Sequence, residues 1–107
     1  MDVGGYYEAK IQVRPVDEEI ISYVYNQVEK DKDAEIVKVI HIQKGDGVDI
    51  YLNSWRFAVQ LGRKLKKVFK CEMLVTRSLY GRNKTTSKDV YRVTVLIRIP
   101  KKDVTIR

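Results

Sequence analysis

The sequence predicts a single α+β domain in the order β-α-β-β-α-β-β, with a mainly antiparallel sheet and two helices packed on one of its faces. Three observations point to it. Tyr91, Val93, Val95, Ile97 and Ile99 alternate with Arg92, Thr94, Leu96 and Arg98, the period of a half-buried strand. Two segments, near residues 18–30 and 55–69, repeat their apolar residues at helical spacing. Between them, two β-branched runs are separated by Gly45-Asp46-Gly47, which signals a hairpin.

The first strand is expected from Tyr6 to Arg14. Tyr7, Ala9, Ile11 and Val13 would share one face, and Tyr6, Glu8, Lys10, Gln12 and Arg14 the other. Pro15 ends it, because proline has no N–H to give to a ladder. Asp17 is placed as an N-cap, and Glu18 and Glu19 suit the positive end of a helix running to about Lys30. Ile20, Ile21, Val24, Tyr25 and Val28 form its apolar stripe. Lys30-Asp31-Lys32-Asp33 is a solvated exit loop.

From Glu35 to Leu52 the β-branched residues return. Val48, Ile50 and Leu52 share one face of the second arm. The first arm (Ile36, Val37, Val39, Ile40, Ile42) is apolar on both faces, which predicts a central strand. Asn53 or Ser54 caps the second helix, Trp55 to Phe69. The last third supplies strands at Cys71–Leu79 and Val90–Ile99, joined by a polar stretch over 80–89 that is long for a hairpin. Pro100 closes the domain, so 1–100 is expected to be one domain and 101–107 the start of a linker.

The 107 residues suffice for one hydrophobic core. No apolar run approaches the roughly 20 residues that span a bilayer, and the start MDVGGYYEAK lacks the apolar core of a signal peptide, which predicts a cytoplasmic protein with no membrane partner. The single cysteine, Cys71, has no disulfide partner, and with His41 alone it is too little for a zinc site.

Charge is the most informative bulk property. Residues 1–52 carry 6 Lys and Arg against 11 Asp and Glu, net −5; residues 53–107 carry 15 against 3, net +12. Such a bias draws polyanions in over about a Debye length, ~8–10 Å at physiological salt. The second helix concentrates the bias. Ala58, Leu61, Leu65, Val68 and Phe69 fall on one side, while Arg56, Arg63, Lys67 and Lys70 fall opposite, and Lys64 is a further candidate on the same helix. Gly62 sits beside the apolar face, where a missing side chain allows close approach to the sheet despite its cost in helix propensity.

Those cations, with Arg77 and the 80–89 stretch (Tyr80, Arg82, Lys84, Lys88), are the candidate contacts to RNA phosphates. Phosphate contacts position a protein without reading base identity. Tyr80, beside Gly81-Arg82, is a candidate for stacking on a base. Trp55 reads as a core-edge anchor and Tyr6, Tyr7, Tyr51 and Tyr91 as sheet residues. The alternation around Tyr51 lacks the Lys/Arg-Gly-aromatic pattern of the common RNA-recognition sheet.

Catalytic signals are missing. His41 is alone on a strand, Asp46 and Asp49 flank a turn where aspartate favours local backbone bonding, and Cys71 is a small core residue. Gly45-Asp46-Gly47 has no Lys-Ser/Thr or helix start after it to cradle phosphate. Neither an enzyme nor a small-molecule substrate is expected.

Gly47-Val48-Asp49-Ile50-Tyr51-Leu52, running into Asn53-Ser54-Trp55-Arg56-Phe57-Ala58, resembles the ribosomal export adaptor family known as nonsense-mediated decay protein three. Its members show a Gly-hydrophobic-Asp-aromatic-Tyr-aromatic strand leading into a helix with an early alanine. Thr76-Arg77-Ser78-Leu79, Val90-Tyr91-Arg92-Val93-Thr94, Ile99-Pro100 and Asp103 continue the similarity, which covers the chain from about Gly45 onward. The resemblance implies a middle domain that binds the large ribosomal subunit, through ribosomal RNA or adjoining ribosomal proteins. The family's amino-terminal zinc-binding CxxC modules and leucine-rich export signal have no counterpart here, so the resemblance implies no cofactor. The compact loop and the Lys/Arg/Glu/Ile/Val-rich composition look archaeal, where only subunit binding applies; nuclear–cytoplasmic shuttling would follow only for a eukaryotic parent. A protein-interaction domain that uses an exposed sheet edge, including self-association, is the alternative.

Overall fold

The computed structural model describes residues 7–42, 46–83 and 88–99, with backbone alone for 79–83 and 88–90. Strands β1 (Ala9–Arg14), β2 (Ile36–Ile42), β3 (Gly47–Leu52), β4 (Glu72–Asn83) and β5 (Lys88–Arg98) and helices α1 (Glu18–Lys30) and α2 (Trp55–Phe69) follow in the order β1-α1-β2-β3-α2-β4-β5. The five strands form one sheet, ordered β2-β3-β1-β5-β4. Only the β1–β5 pair is parallel; the others are antiparallel.

Residues opposite one another in a ladder share a face, so the register sorts the side chains. Ala9, Ile11 and Val13 align with Leu52, Ile50 and Val48 on one side and with Val93, Val95 and Ile97 on the other. These nine residues line the helix-covered face and are buried. At about 1.5–3 kcal/mol for each fully buried large aliphatic chain, they drive the collapse of the sheet onto its helices.

Each helix begins at a side-chain cap. The Asp17 carboxylate accepts from the N–H groups of Glu19 (2.9 Å) and Ile20 (3.1 Å), and the Ser54 hydroxyl accepts from Phe57 N–H at 3.2 Å. A second carboxylate, from Glu8, takes the Trp55 N–H at 3.0 Å, tying the start of α2 to the entry of β1. Asn53 accepts from Glu35 N–H and donates to the Asp33 carbonyl, both at 2.8 Å, which closes the loop after α1 onto the loop before α2. The two helices meet through Tyr23 and Phe69, whose rings stand edge to face at 5.6 Å.

At Gly62 the helix comes close to the sheet. A Cβ there would lie 2.7 Å from Val95 Cγ1 and 2.8 Å from Met73 Cε, so a larger residue must push both side chains aside.

The uncovered face holds a partly buried ion pair. Arg14 Nη2 donates to Asp49 Oδ1 at 2.7 Å, while Nη1 donates to the Val13 and Val48 carbonyls at 3.1 and 3.3 Å. Arg14 lies so close to β3 that a Cβ on Gly47 would stand 2.5 Å from its Nη1 and 2.6 Å from the Val13 carbonyl. Asp49 is therefore a sheet residue holding an arginine, correcting its expected role beside a turn.

Four further expectations change. Strand β2 is an edge strand, because the parallel pairing with β5 gives the centre to β1; its register slips between Ile36 and Lys38, and Ile40 is left 41 % exposed. Strand β1 starts at Ala9, and Tyr7 leaves the core side to stand edge-on to Tyr51 with centroids 4.6 Å apart. Strands β4 and β5 pair through to Asn83↔Lys88, so most of the polar stretch over 80–89 extends the ladder; Tyr6 and residues 84–87 lie outside the described residues. Val68 is 54 % exposed, since it projects off the flank of the stripe centred on Ala58, Gly62 and Leu65.

Gly62→Ala and Gly47→Ala should each lower stability by about 1–3 kcal/mol, the former despite a better helix propensity, because the Val95 side chain beside Gly62 and the Val13 carbonyl beside Gly47 obstruct the new methyl. Thermal unfolding followed by circular dichroism would show this as a fall of several degrees or more in Tm. Asp49→Asn, which keeps the shape and removes the charge facing Arg14, should cost about 1–2 kcal/mol in the same measurement.

Candidate nucleic-acid interface

Helix α2 docks through Ala58, Leu61, Gly62 and Leu65, all buried, against β1, β4 and β5. That contact turns Arg56, Arg63, Lys64, Lys67 and Lys70 outward, and all five are exposed. Lys66, on the helix flank, is exposed too. Among the described residues, none of these cations has a carboxylate within 4 Å. Lys64 Nζ donates to a neutral partner on α1, Gln27 Oε1, at 3.4 Å.

The five cations do not share one environment. Arg56 lines a shallow depression with Asp31, Asp33 and Gln60, close to the Glu8 carboxylate that takes the Trp55 N–H. A polyanion meets repulsion there. Arg63, Lys64, Lys67 and Lys70 lie along the last two turns, away from those acids, although Phe69, just before Lys70, shares a groove with Glu18 and Glu19 of α1. The basic last turn also complements the negative end of the helix dipole.

Lys70 ends the helix with φ 54° and ψ 43°, the left-handed region usually left to glycine. A lysine in that conformation costs about 1–2 kcal/mol relative to a relaxed backbone. It places a cation at the end of the stripe.

Arg77 lies apart from this group. It is in β4, in the row of Val93 and Ala9 at the N-terminal end of α2, with its guanidinium 4.9 Å from the centre of the Tyr91 ring. Among the described residues, β4 and β5 pair only with each other beyond that row, so Ser78–Asn83 and Lys88–Arg92 form a two-stranded ribbon past the sheet. Tyr80, Arg82 and Lys88 belong to the ribbon by backbone position. Their side chains, and all of Lys84, lie outside the described residues. Trp55 is at the rim, 43 % exposed, with the Arg56 guanidinium 5.6 Å from its ring centre.

Sequence reasoning missed a second cationic cluster, on the face without helices. Tyr51 and Tyr7 stand at its centre. Lys38 Nζ is 4.7 Å from the Tyr51 ring centre and 5.7 Å from that of Tyr7, Lys10 Nζ is 5.7 Å from Tyr51, and the Arg92 guanidinium is 3.8 Å from Tyr7. Arg92 Nε also donates to the Tyr7 carbonyl at 3.1 Å. Burial, helped by the nearby Asp49 charge, pushes the Tyr51 hydroxyl above its ordinary pKa, so it stays protonated. The signal was the register that sets Lys38, Tyr51 and Lys10 side by side, which no single strand contains.

The other reactive side chains lie apart. Cys71 is buried, its thiol donating to the Leu65 carbonyl at 3.5 Å, and burial pushes it above the usual thiol range. His41 is exposed on β2. Among the described residues, no group of three or more His, Cys, Asp or Glu could hold a metal ion, and no helix is long and apolar enough to cross a membrane.

A comparison with curated protein sequences finds none that matches. A family profile described as NMD3, second domain, matches residues 6–99. The matched stretch contains both helices, all five strands and the Gly47-Asp49-Tyr51 series of the open face. The chain belongs to the NMD3 family, ribosomal large-subunit export adaptors, and supplies its second, middle domain.

Proposed function

We propose that this domain is a non-catalytic docking module for the large ribosomal subunit, in which the outer side of α2 lies against the phosphate backbone of ribosomal RNA. The observation that carries the proposal is the row Arg63, Lys64, Lys67 and Lys70, exposed and without a carboxylate partner among the described residues, on a helix locked to the sheet through Gly62. Positive side chains on a rigid element meet phosphate without any ordering of the backbone. Such contacts give affinity and orientation without base specificity, which suits a partner whose shape is fixed. Arg56 is a weaker contributor, because Asp31 and Asp33 share its groove.

The β4–β5 ribbon would act as an arm, with Arg77 at its root and Tyr80, Arg82, Lys84 and Lys88 toward its tip, reaching a second stretch of RNA or an adjoining ribosomal protein. The proposal needs no cofactor or small-molecule substrate, and the domain would work in the cytoplasm.

One observation favours a second proposal, a protein partner that adds a strand. On β4, an edge strand, Leu74 and Val75 are 57 % and 41 % exposed. Salt separates the two. Four phosphate contacts give a log–log salt slope of about −3 to −3.5, so affinity should fall roughly 50- to 150-fold between 50 and 200 mM salt, whereas strand addition hardly responds.

Replacing Arg63, Lys67 and Lys70 with Glu should weaken binding to purified large subunits more than tenfold and flatten the salt slope by about 2–3, with little change in thermal unfolding. Equal binding by the variant in a sedimentation assay would reject the proposal. Lys70→Gly should separate the two demands on that residue: up to about 1 kcal/mol more stability from relieving the left-handed backbone, with weaker subunit binding. A calorimetric melt beside the same sedimentation assay checks both.

A further inference from the structure

The face without helices carries a cluster that the α2 proposal does not use. Lys38, Tyr51 and Lys10 are cross-strand neighbours in one row over β2, β3 and β1, so the two lysines leave the backbone about 10 Å apart with Tyr51 between them. Tyr51 is 8 % exposed and cannot offer its ring to a base. It works instead as a platform. With Tyr7 edge-on against it, it attracts both ammonium groups by their cation–π contacts and limits the freedom they would lose on binding.

Charge on this face is one-sided. Among the described residues, Lys10, Lys38, Arg14 and Arg98 project from it against Asp49 and Glu72 within the strands, while Glu8 at the entry of β1 accepts from the Trp55 N–H. Asp49 is held by Arg14, and Glu72 lies beside Arg98 at the far corner, about 13 Å along the strand from the lysine row. Among the described residues neither Lys10 nor Lys38 has a carboxylate within 4 Å. Ammonium groups are point charges that take phosphate from many directions, and these two stand on the open face of the sheet.

We propose that this open face is a second RNA-backbone surface, with Lys10 and Lys38 as its phosphate contacts, and that the domain sits between two RNA segments. The outer side of α2 and the open face point in opposite directions, with more than ~10 Å of helix and the sheet itself between them. One backbone segment cannot lie along both. The surface stands on its own observations, and only the two-sided arrangement rests on the α2 proposal.

The test uses this chain with Lys10→Gln/Lys38→Gln, and Lys10→Arg/Lys38→Arg as the charge-keeping control, titrated with fluorescent double-stranded RNA between 50 and 200 mM salt. The glutamine pair should bind about tenfold more weakly, with a salt slope shallower by about 1.4–1.8, while the arginine pair behaves as the parent. If the glutamine pair melts early, the single substitutions carry the test, each with about half that change in slope. Wild-type affinity and slope in the glutamine variants would overturn the second surface. In a capture assay, the parent chain on an immobilised duplex should retain a second, labelled duplex, whereas the glutamine pair and the Arg63, Lys67, Lys70→Glu variant should not. Loss of RNA binding in the glutamine pair alone, with the α2 variant unaffected, would reject the α2 proposal and leave the open face standing. If both variants weaken binding yet the parent fails to bridge, the two-sided arrangement falls.

Discussion

The contact between Gly62 of α2 and Val95 of β5 is the constraint on which the outer surface depends. A helix with a side chain at that point would ride higher on the sheet or slide along it, and Leu61 and Leu65 would lose their places in the core. Because the approach is so close, the helix has one rotational setting. That setting turns Arg63, Lys64, Lys67 and Lys70 to solvent together. Glycine is poor in a helix interior, costing about 1 kcal/mol against alanine, and here that cost is offset by burial of the residues around it. The positive stripe is thus a product of core packing as much as of surface composition.

The opposite face follows a different logic, written in β3. Val48, Ile50 and Leu52 face the helices, and Gly47, Asp49 and Tyr51 face away. Each of the latter three does something specific. Gly47 leaves room for the Arg14 side chain, Asp49 holds its guanidinium, and Tyr51 carries Lys10 and Lys38. All six β3 residues are buried although one face has no helix over it, because long side chains from β1 and β2 cover that face. The Gly-x-Asp-x-Tyr alternation in the matched family stretch therefore has a physical meaning: it is a single face of a strand.

Much of this was legible in the sequence. Both helices begin and end where capping and spacing place them, because Asp17, Ser54 and the apolar stripes act locally. The close approach at Gly62, the hairpin before β3, the element order and the family resemblance were also readable. What failed depended on pairing between distant segments. Apolar residues on both sides of β2 suggest a central strand, but a parallel β1–β5 ladder gives the centre to β1. Tyr7 fits the core alternation of its own strand, yet a partner on β3 and a guanidinium from β5 draw it to the other side. The α2 candidates came from one helix and were found together, whereas Arg77 proved to belong elsewhere. The Lys10–Lys38–Tyr51 cluster comes from three strands, so no single window of sequence displays it.

The central claim is that the outer side of α2 meets ribosomal RNA, and lysine reactivity reports on it directly. Acetylation of the free domain and of the domain bound to large ribosomal subunits, compared by mass spectrometry, should show Lys64, Lys67 and Lys70 reactive when free and protected when bound, with Lys30 and Lys32 reactive in both states. Equal modification of the three α2 lysines in both states, with protection confined to the loop after α1, would contradict the account.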